Sequence, residues 1–295
     1  MTAPVRIGLV GAGPWARSFH APTFAAGPET ALAGVWTRSR PAAEALAAEY
    51  GVPAFRSYEE LLSRCEGVVF AVPPDVQAEL AARAAGAGRA LLLEKPIALS
   101  VPGAEALAAA VAAAGVATQV VLTHRYRPAI RDFLERLRGF PVFGARGCQL
   151  TGEFLDGTYA GSPWRATGGV LYNTGPHGID LLDAALGRIE RITGTGNEDG
   201  FLALTCRHAG GAVSQLTICG RVPPRRRTHY ELYGPRGTLV LDFDRLPEDS
   251  GPTRANLRAE FARAVRTGVP HPIDVRHGLH LQRLLAQAEA QTRAL

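Results

Sequence analysis

A glycine-rich turn near the N-terminus is the first feature whose residue types and spacing indicate chemistry. Residues 11–16 have the sequence GAGPWA and stand between a short apolar run and a helical pattern. In a dinucleotide-binding turn, the first glycine allows a tight bend, the second lets a pyrophosphate approach the backbone, and a small third residue packs helix on strand. The helix N-terminus offers N–H groups and the positive end of its dipole to the phosphates. The turn therefore predicts a dinucleotide site that includes Gly11, Gly13, Pro14, Trp15 and Ala16.

The residues that would meet the adenosine ribose distinguish NAD from NADP. An NAD site places Asp or Glu about 20 residues after the glycine turn, where the carboxylate binds the ribose 2′-hydroxyl. Residues 36–40 have the sequence WTRSR at this place, and the next acidic residue is Glu44. Arginine binds phosphate through two parallel hydrogen bonds. We therefore predict NADP(H), with NAD(H) as the alternative, and assign the 2′-phosphate to Thr37, Arg38, Ser39 and Arg40.

Lys95 is the only lysine among the 32 basic residues of the sequence. It follows the apolar run ALLLE, which places it at the carboxyl edge of a predicted sheet, where a doubly wound fold binds its ligands. Lysine can release its proton, unlike arginine, and its compact ammonium can donate to a single substrate oxygen. We predict a catalytic lysine; a surface lysine retained by chance is the alternative. The cofactor is expected along the same edge, at Val72, Pro73, Glu94, Lys95 and Pro96.

A second cluster of candidate residues lies in the segment GGVLYNTGPHGID, residues 168–180. Asn173 and His177 are four residues apart and His177 and Asp180 are three apart, so on a helix the three side chains share one face. Asp180 could hold the imidazole in one tautomer and leave its other nitrogen for a substrate. Pro176 disturbs a regular helix, so this face is only approximate. The cluster predicts a catalytic His177, with a structural histidine as the alternative.

The first 120 residues alternate apolar runs with alanine-rich helical patterns. This alternation indicates a parallel, doubly wound sheet with right-handed crossovers. Such a sheet would bring the glycine turn, the WTRSR segment and Lys95 to one edge. The predicted strands are 5–10, 30–37, 67–72, 90–94 and 116–122, and the predicted helices extend from the glycine turn to about 25 and over 41–50, 75–87 and 103–114.

The pattern changes after about residue 122, where helices no longer alternate with strands. Strand-like runs bounded by Gly, Pro or Asp follow one another from Ile189 to Phe243, which indicates an antiparallel sheet. Helices are predicted over 129–138, 170–186, 256–266 and 278–294. The predicted fold class is α/β: a dinucleotide-binding Rossmann domain at 1–121, then an α+β domain at 122–295 with a mainly antiparallel sheet.

Composition excludes several classes of protein. The chain of 295 residues is 46% hydrophobic and 20% charged, which is typical of globular domains rather than disordered chains. We expect neither a signal peptide nor a membrane span, because no apolar run approaches about 18 residues. Four widely spaced cysteines indicate a cytoplasmic protein without a disulfide framework or metal site. The net charge is +5, but the one dense basic run, 225–227, lacks interleaved aromatics, so no nucleic-acid partner is expected.

These motifs together resemble the Gfo/Idh/MocA family of oxidoreductases. The resemblance extends over nearly the whole chain: GAGPWA, the stretch that ends in LLLEKP, HRYRP at 124–128, WRATGGVLYNTGPHGIDLL at 164–182, and NLRAEFARAVRTG at 256–268. It implies a Rossmann domain followed by a substrate-binding domain whose open sheet often forms oligomer contacts, so a homodimer or homotetramer is expected. It also implies hydride transfer between nicotinamide and a hydroxyl or carbonyl carbon, commonly on a sugar, polyol or related ring.

The resemblance implies roles for several residues. Lys95 matches the lysine that contacts the reacting oxygen, and His177 matches the histidine that serves as acid or base. Trp164 and Arg165 match a pair that often lies near the nicotinamide and the substrate, and Tyr126 lies in a segment that commonly lines the pocket.

One position departs from the family pattern, because Asn173 stands where the family usually has aspartate. An amide can orient a hydroxyl but cannot take a proton. Three interpretations follow: a reductase in which Lys95 or His177 supplies the proton, an enzyme in which Tyr172 or Tyr126 is a substitute acid, or a protein that has lost turnover.

The function predicted from the sequence is an NADP(H)-dependent oxidoreductase, most simply a ketoreductase on a sugar, polyol or related small molecule. One alternative is reduction of a C=N or conjugated bond in a secondary metabolite. A second, from a different class, is a non-catalytic protein that senses NADP. The substrate itself is not predicted.

Overall fold

The computed structural model describes residues 3–155, 169–223 and 227–292. The chain forms two compact units, of which unit 1 contains Met1–Val121 and Gly251–His280, and unit 2 contains Leu122–Ser250 and Leu281–Leu295. The division expected from the sequence has the same break after Val121. Residues 251–280, which that division assigned to the second domain, belong to unit 1 instead.

Unit 1 is built on a five-stranded parallel sheet with the strand order β2-β1-β3-β4-β5. The order reverses direction between β1 and β3, and ligands of doubly wound folds bind at such a switch point. β3 and β4 are buried along their whole length, as expected for strands covered on both faces. The strands are β1 (Val5–Val10), β2 (Thr30–Trp36), β3 (Gly67–Phe70), β4 (Ala90–Leu93) and β5 (Thr118–Val120).

The helix that follows the glycine turn is irregular. Residues 14–25 are helical throughout, but Ala16–His20 form a π-helical turn before α1 (Ala21–Ala25). The predicted helix is therefore present with a change of helical type in its middle. The other helices of the first 121 residues are α2 (Arg40–Tyr50), α3 (Tyr58–Arg64), α4 (Pro74–Gly86) and α5 (Val101–Ala114).

α3 was not predicted, because seven residues are too few for a clear period. Its start is nevertheless marked by a cap, since the hydroxyl of Ser57 accepts the backbone N–H of Glu60 at 3.1 Å.

The late helix α8 (Ser250–Thr267) joins unit 1 through its apolar side chains. Leu257 and Phe261 are fully buried, and the ring of Phe261 meets that of Phe24 edge-on at 6.0 Å. The amide of Gln119 on β5 also donates to the carbonyl of Leu257 at 3.2 Å. α8 thus completes the core of unit 1, a long-range contact that local sequence patterns do not reveal. The last helix, α9 (Val275–Thr292), extends from unit 1 into unit 2.

Unit 2 contains a six-stranded mixed sheet with the order β11-β10-β6-β9-β8-β7. All pairs are antiparallel except β6 with β9, which is parallel, so the predicted antiparallel character holds for the sheet as a whole. β6 is the one strand of this sheet that the sequence did not predict. The strands are β6 (Gly144–Leu150), β7 (Ile189–Gly196), β8 (Leu202–His208), β9 (Val213–Cys219), β10 (Arg227–Gly234) and β11 (Gly237–Asp242).

Two helices of unit 2 position the candidate residues. α6 spans Pro128–Leu137 after a short 3-10 helix at Thr123–Tyr126, and α7 spans Gly175–Leu186. The single helix predicted over 170–186 is interrupted at Thr174, so residues 169–173 form a separate helical turn. Pro176 lies in the first turn of α7, where its missing N–H costs no helical hydrogen bond. The predicted fold class, a Rossmann domain plus an α+β domain with a mainly antiparallel sheet, is confirmed.

Within the described part of the chain, no helix is both long enough and apolar enough to cross a lipid bilayer.

Candidate active site

The glycine turn has the backbone geometry that a dinucleotide site requires. Gly11 has a φ of +109°, and a Cβ there would lie 2.3 Å from the carbonyl oxygen of Ala71. A Cβ on Gly13, in contrast, would meet nothing within 4 Å, so this position leaves open space above the backbone. Ala16 is fully buried, as the helix-packing position demands. Gly11 is thus required by the fold itself, whereas Gly13 provides room for a ligand.

A cavity of about 190 Å³ opens at the switch point of the sheet. Its wall combines the residues that follow β1, β2 and β3, together with two side chains of α4, Val76 and Leu80. Tyr58 holds this part of α4, because its hydroxyl donates to the carbonyl of Leu80 at 2.7 Å, and burial raises the pKa of Tyr58. The predicted cofactor residues in the wall are Gly11, Gly13, Thr37, Arg38, Val72 and Pro73.

The two arginines after β2 differ in their contacts. Arg38 lines the cavity, is exposed, and has no hydrogen-bond or ion-pair partner among the residues the structure describes. Arg40 lies in the first turn of α2, and its Nε donates to Glu44 at 2.6 Å. Ser39 is the N-cap of α2 and lies outside the cavity wall. Arg38 is therefore the arginine of this segment whose guanidinium remains available to a ligand phosphate.

Glu94 and Lys95 follow β4 at the same carboxyl edge of the sheet. Oε1 of Glu94 accepts hydrogen bonds from the indole of Trp15 at 2.6 Å and from His20 Nε2 at 2.8 Å, and Oε2 accepts the backbone N–H of Lys95 at 3.2 Å. Lys95 is half-buried, and its peptide bond to Pro96 is cis. The predicted position of Lys95 at the strand end is correct. Trp15 and Glu94, both predicted to touch the cofactor, are hydrogen-bonded to each other.

Two residues of the cluster around Glu94, His20 and Gln77, were not predicted from the sequence. Both side chains are fully buried. A helical histidine after a glycine turn, or a glutamine on an alanine-rich helix, carries no sequence signal of its own, because only the tertiary structure brings each to Glu94.

In unit 2, His177 differs from its neighbours on α7 by its exposure. It is half-exposed, whereas the other residues from 170 to 182 are buried. Its ring lies 4.8 Å from the ring of His124, measured between centroids. Gly178 lets α7 approach the sheet closely, since a Cβ there would lie 2.7 Å from Leu216 on β9. Packing therefore buries most of this segment and leaves His177 accessible.

The other candidates of unit 2 have protein partners. Asp180 is fully buried and forms a salt bridge with Arg125 at 2.8 Å. The amide of Asn173 donates to Oε2 of Glu153 at 2.7 Å, a carboxylate that the sequence analysis did not single out. Tyr172 donates to Glu289 at 2.8 Å, and Tyr126 is fully buried. Trp164 and Arg165 lie outside the described residues. Among the described residues, no three His, Cys, Asp or Glu side chains are grouped as metal ligands would be.

Comparisons with known proteins agree with this geometry. A model described as an oxidoreductase family with an NAD-binding Rossmann fold matches residues 5–122, and a model of the GFO/IDH/MocA C-terminal domain matches residues 148–240. The chain belongs to the Gfo/Idh/MocA family of oxidoreductases. Its cofactor is therefore NAD or NADP, and the resemblance identified from the sequence motifs is confirmed.

Three relatives illustrate the range of this family. A dTDP-3,4-didehydro-2,6-dideoxy-α-D-glucose 3-reductase of Saccharopolyspora spinosa is 27% identical over 272 residues, 82% of this chain and 76% of that protein. Galactose 1-dehydrogenase of Pseudomonas fluorescens is 35% identical over 96 residues, only 32% of this chain and 29% of that protein. The crystal structure of GenD2 from gentamicin A biosynthesis, in complex with NAD, has a TM-score of 0.85 at 23% identity and is covered to 95% by the whole of this chain.

The residues present fit a nicotinamide dinucleotide. The open space at Gly13, the cavity at the switch point and the available guanidinium of Arg38 lie at one edge of the sheet, where a doubly wound fold binds its ligand. No side chain fills the space above Gly13, which is what a turn that cradles a pyrophosphate needs. Unit 1 of this Gfo/Idh/MocA protein thus has residues that fit the adenosine half of the cofactor.

The two glycines of the turn should respond differently to alanine. We expect Gly11→Ala to lower the free energy of unfolding by about 1–3 kcal/mol, because the new Cβ meets the Ala71 carbonyl at a positive φ. We expect Gly13→Ala to leave unfolding nearly unchanged but to weaken NADPH binding at least about tenfold, since the methyl group occupies the space of the pyrophosphate.

Urea unfolding and calorimetric titration with NADPH measure the two effects. Gly86→Ala, at a helical glycine with equally open surroundings, is the matched control: it should leave NADPH affinity unchanged and should not lower the free energy of unfolding. Undiminished NADPH affinity in Gly13→Ala would contradict the assigned phosphate position.

Proposed function

We propose that this protein is an NADP(H)-dependent reductase that transfers a hydride to the carbonyl carbon of a sugar or related polyol. The observation that carries the proposal is the arrangement of unit 1, in which one sheet edge bears the cavity, Arg38 and the single lysine. Two of the relatives described above act, by their names, on a deoxysugar nucleotide and on galactose. They support a carbohydrate as the substrate class.

The preference for NADP rests on the end of β2. The cavity wall there offers Thr37 and Arg38, and no carboxylate stands among the wall residues to bind a ribose 2′-hydroxyl. A carboxylate in this place would also repel a 2′-phosphate. Arg40 contributes less than Arg38, because its guanidinium is already bound to Glu44.

Two side chains of this chain are assigned to the reaction. The bound nicotinamide supplies the hydride. The ammonium of Lys95, half-buried at the sheet edge, donates to the substrate oxygen and stabilises the negative charge that develops there. His177, half-buried in a segment whose other residues from 170 to 182 are buried, is assigned as a second proton donor to this oxygen, beside Lys95 itself.

The contacts of Asn173 support a reductase among the three interpretations of its departure from the family pattern. Its amide is held by the carboxylate of Glu153, so it is fixed as a donor and takes no proton. Tyr172 is engaged with Glu289, and Tyr126 is fully buried. These contacts favour Lys95 and His177 over either tyrosine as the proton donors.

Replacement of Lys95 tests the mechanism. We expect Lys95→Ala to lower kcat about 10²–10⁴-fold, because a positioned proton donor typically contributes this much, while NADPH still binds. Lys95→Arg keeps the positive charge but should remain impaired, since a guanidinium does not release its proton. Oxidation of NADPH is followed at 340 nm against panels of keto-sugars and cyclic imines, the latter to detect C=N reduction.

The controls separate the alternatives. Circular dichroism verifies the fold of each variant. Turnover by Lys95→Ala near the wild-type rate would remove this residue from the mechanism. NADPH binding by the wild type without turnover of any panel substrate would favour a sensor of NADP.

Arg38 and Arg40 provide a matched test of cofactor choice. We expect Arg38→Ala to reduce the ratio of NADPH to NADH affinity about 10- to 100-fold, the loss of a charge-assisted pair to phosphate. Arg40→Ala should have the smaller effect, because this side chain is bound to Glu44. Calorimetric titration with both cofactors gives the ratios, and an unchanged ratio in Arg38→Ala would mean that the protein does not use the 2′-phosphate.

We further propose a cytoplasmic homodimer or homotetramer that associates through the open face of the unit 2 sheet. The four cysteines are free thiols, as in a reducing compartment. The outer face carries Val213 and Val240, which are about half exposed, around a polar centre at Glu231. Hydrogen bonds from Arg146, Tyr233 and His229 hold the pKa of Glu231 down to about 2, so this centre stays charged.

Sedimentation equilibrium tests the association. The wild type should sediment as a dimer or tetramer, and Val240→Glu should shift it towards monomer, because a charge would enter the contact. A monomeric wild type at all concentrations would contradict the proposal.

A further inference from the structure

The carboxylate of Glu94 is the centre of a hydrogen-bond cluster that nothing in the assigned reaction explains. Oε1 accepts from two side chains of the helix after the glycine turn, Trp15 and His20, while Oε2 accepts the backbone N–H of Lys95. The carboxylate is 13% exposed, and both of its oxygens are used within the protein. It is therefore poorly placed to bind a cofactor hydroxyl and well placed to hold its neighbours.

Gln77 fixes the backbone on the other side of this carboxylate. Its Oε1 accepts the N–H of Glu94 at 2.7 Å, and its Nε2 donates to the carbonyl of Glu94 at 2.9 Å and to that of Ile97 at 3.2 Å. The side chain of Gln77 is fully buried. Gln77 on α4 thus binds the backbone on either side of Lys95. The helix after the glycine turn, residues 14–25, binds the same segment through the carboxylate of Glu94.

The π-helical turn at Ala16–His20 explains how Trp15 and His20 reach the same oxygen. Residues five apart lie about 140° apart around an α-helix with 3.6 residues per turn. In a π-helix the hydrogen bond runs from residue i to i+5, as the N–H of Ala21 does to the carbonyl of Ala16, so residues five apart lie closer to one face than they do in an α-helix. The wider turn therefore aligns both donors on Glu94.

His20 has no other polar anchor in the described chain. Its ring is fully buried beside the rings of Phe19 and Phe24, and its Nδ1 has no hydrogen-bond partner among the described residues. An ionised carboxylate can accept hydrogen bonds but cannot donate them, so Nε2 of His20 is the donor to Glu94. Burying an imidazole with one unsatisfied nitrogen is costly, which indicates that the hydrogen bond to Glu94 has a role beyond packing.

We propose that Glu94 is a positioning residue: Trp15 and His20, aligned by the π-helical turn, hold its carboxylate so that it fixes Lys95 in the geometry for reduction. Glu94 and Trp15 then act on the reaction through Lys95 rather than by touching the cofactor. This proposal rests on the proposed function of Lys95. It extends the active site to a helix that begins at the dinucleotide turn.

Three substitutions remove single hydrogen bonds from the cluster. Trp15→Phe removes the indole donor but keeps an aromatic ring to stack on Phe19. His20→Leu removes the imidazole donor from an apolar site, whereas His20→Gln places an amide nitrogen near the position of Nε2. Glu94→Gln keeps an acceptor for the two helix donors but turns an NH₂ group towards the Lys95 amide.

We expect kcat to fall about 10²-fold in His20→Leu and Glu94→Gln, the cost of misplacing a reacting group by about 1 Å, and less in Trp15→Phe. His20→Gln should restore part of the loss. NADPH affinity should stay near the wild-type value in all four. Glu49→Gln is the matched control. Glu49 also pairs with the helix after the glycine turn, through Arg17, but it has no contact with Glu94 among those described.

The single lysine of the sequence allows a readout that does not depend on turnover. Protein grown with [ε-¹³C]lysine has one lysine side-chain signal, that of Lys95. We expect this signal to shift or broaden in His20→Leu, Trp15→Phe and Glu94→Gln, and to return towards its wild-type position in His20→Gln. Should the wild type lack reductase activity, the proposed function fails, and the signal still decides whether the cluster positions Lys95.

An unchanged Lys95 signal and an unchanged kcat in Glu94→Gln and Trp15→Phe would overturn the proposal. If His20→Leu does not fold, those two variants decide the question, because neither places a new group in the apolar core. The proposal would also be overturned if His20→Leu lowered kcat and thermal stability together and His20→Gln restored neither. That result would indicate a purely structural role for His20.

Discussion

Parallel strands end at one edge of their sheet, and every candidate residue of unit 1 depends on this constraint. Where the order of the strands reverses, between β1 and β3, the chains that leave the sheet diverge and open the cavity. The glycine turn, Arg38 and Lys95 come from three different strand ends, more than 20 residues apart in sequence. Their proximity to one edge is a property of the topology. The site therefore follows from the fold before any side chain is considered.

Polar side chains fix the segment around Lys95 at this edge of the sheet. Hydrogen bonds in a partly buried setting are strong enough to fix a backbone, and Glu94 receives three of them. Gln77 secures the same segment from α4. In unit 2, packing determines which side chain is accessible. The close approach of α7 to the sheet at Gly178 leaves His177 as the accessible residue of its segment. Precise geometry at a reactive group thus depends on partners that carry no chemistry themselves.

Local sequence patterns predicted the fold and the outline of the site well. The apolar runs located the Rossmann strands to within two residues at either end, and the glycine spacing located the tight turn after β1, because both are set by short-range rules. What the sequence did not predict depends on contacts between distant segments. α8 packs in unit 1 through the contact of Phe261 with Phe24. The contacts of His20 and Gln77 with Glu94 depend on a π-helical turn and on a buried amide. The difference between Arg38 and Arg40 likewise appears only once Glu44 is seen beside Arg40.

A crystal structure of the wild-type protein with NADPH is the most direct test of the claim that one sheet edge carries the whole cofactor. The account predicts the pyrophosphate above Gly13, the 2′-phosphate against the guanidinium of Arg38, and the nicotinamide on the side of Lys95. A dinucleotide bound away from this edge, or a Lys95 side chain turned into solvent with no nicotinamide near it, would contradict the account.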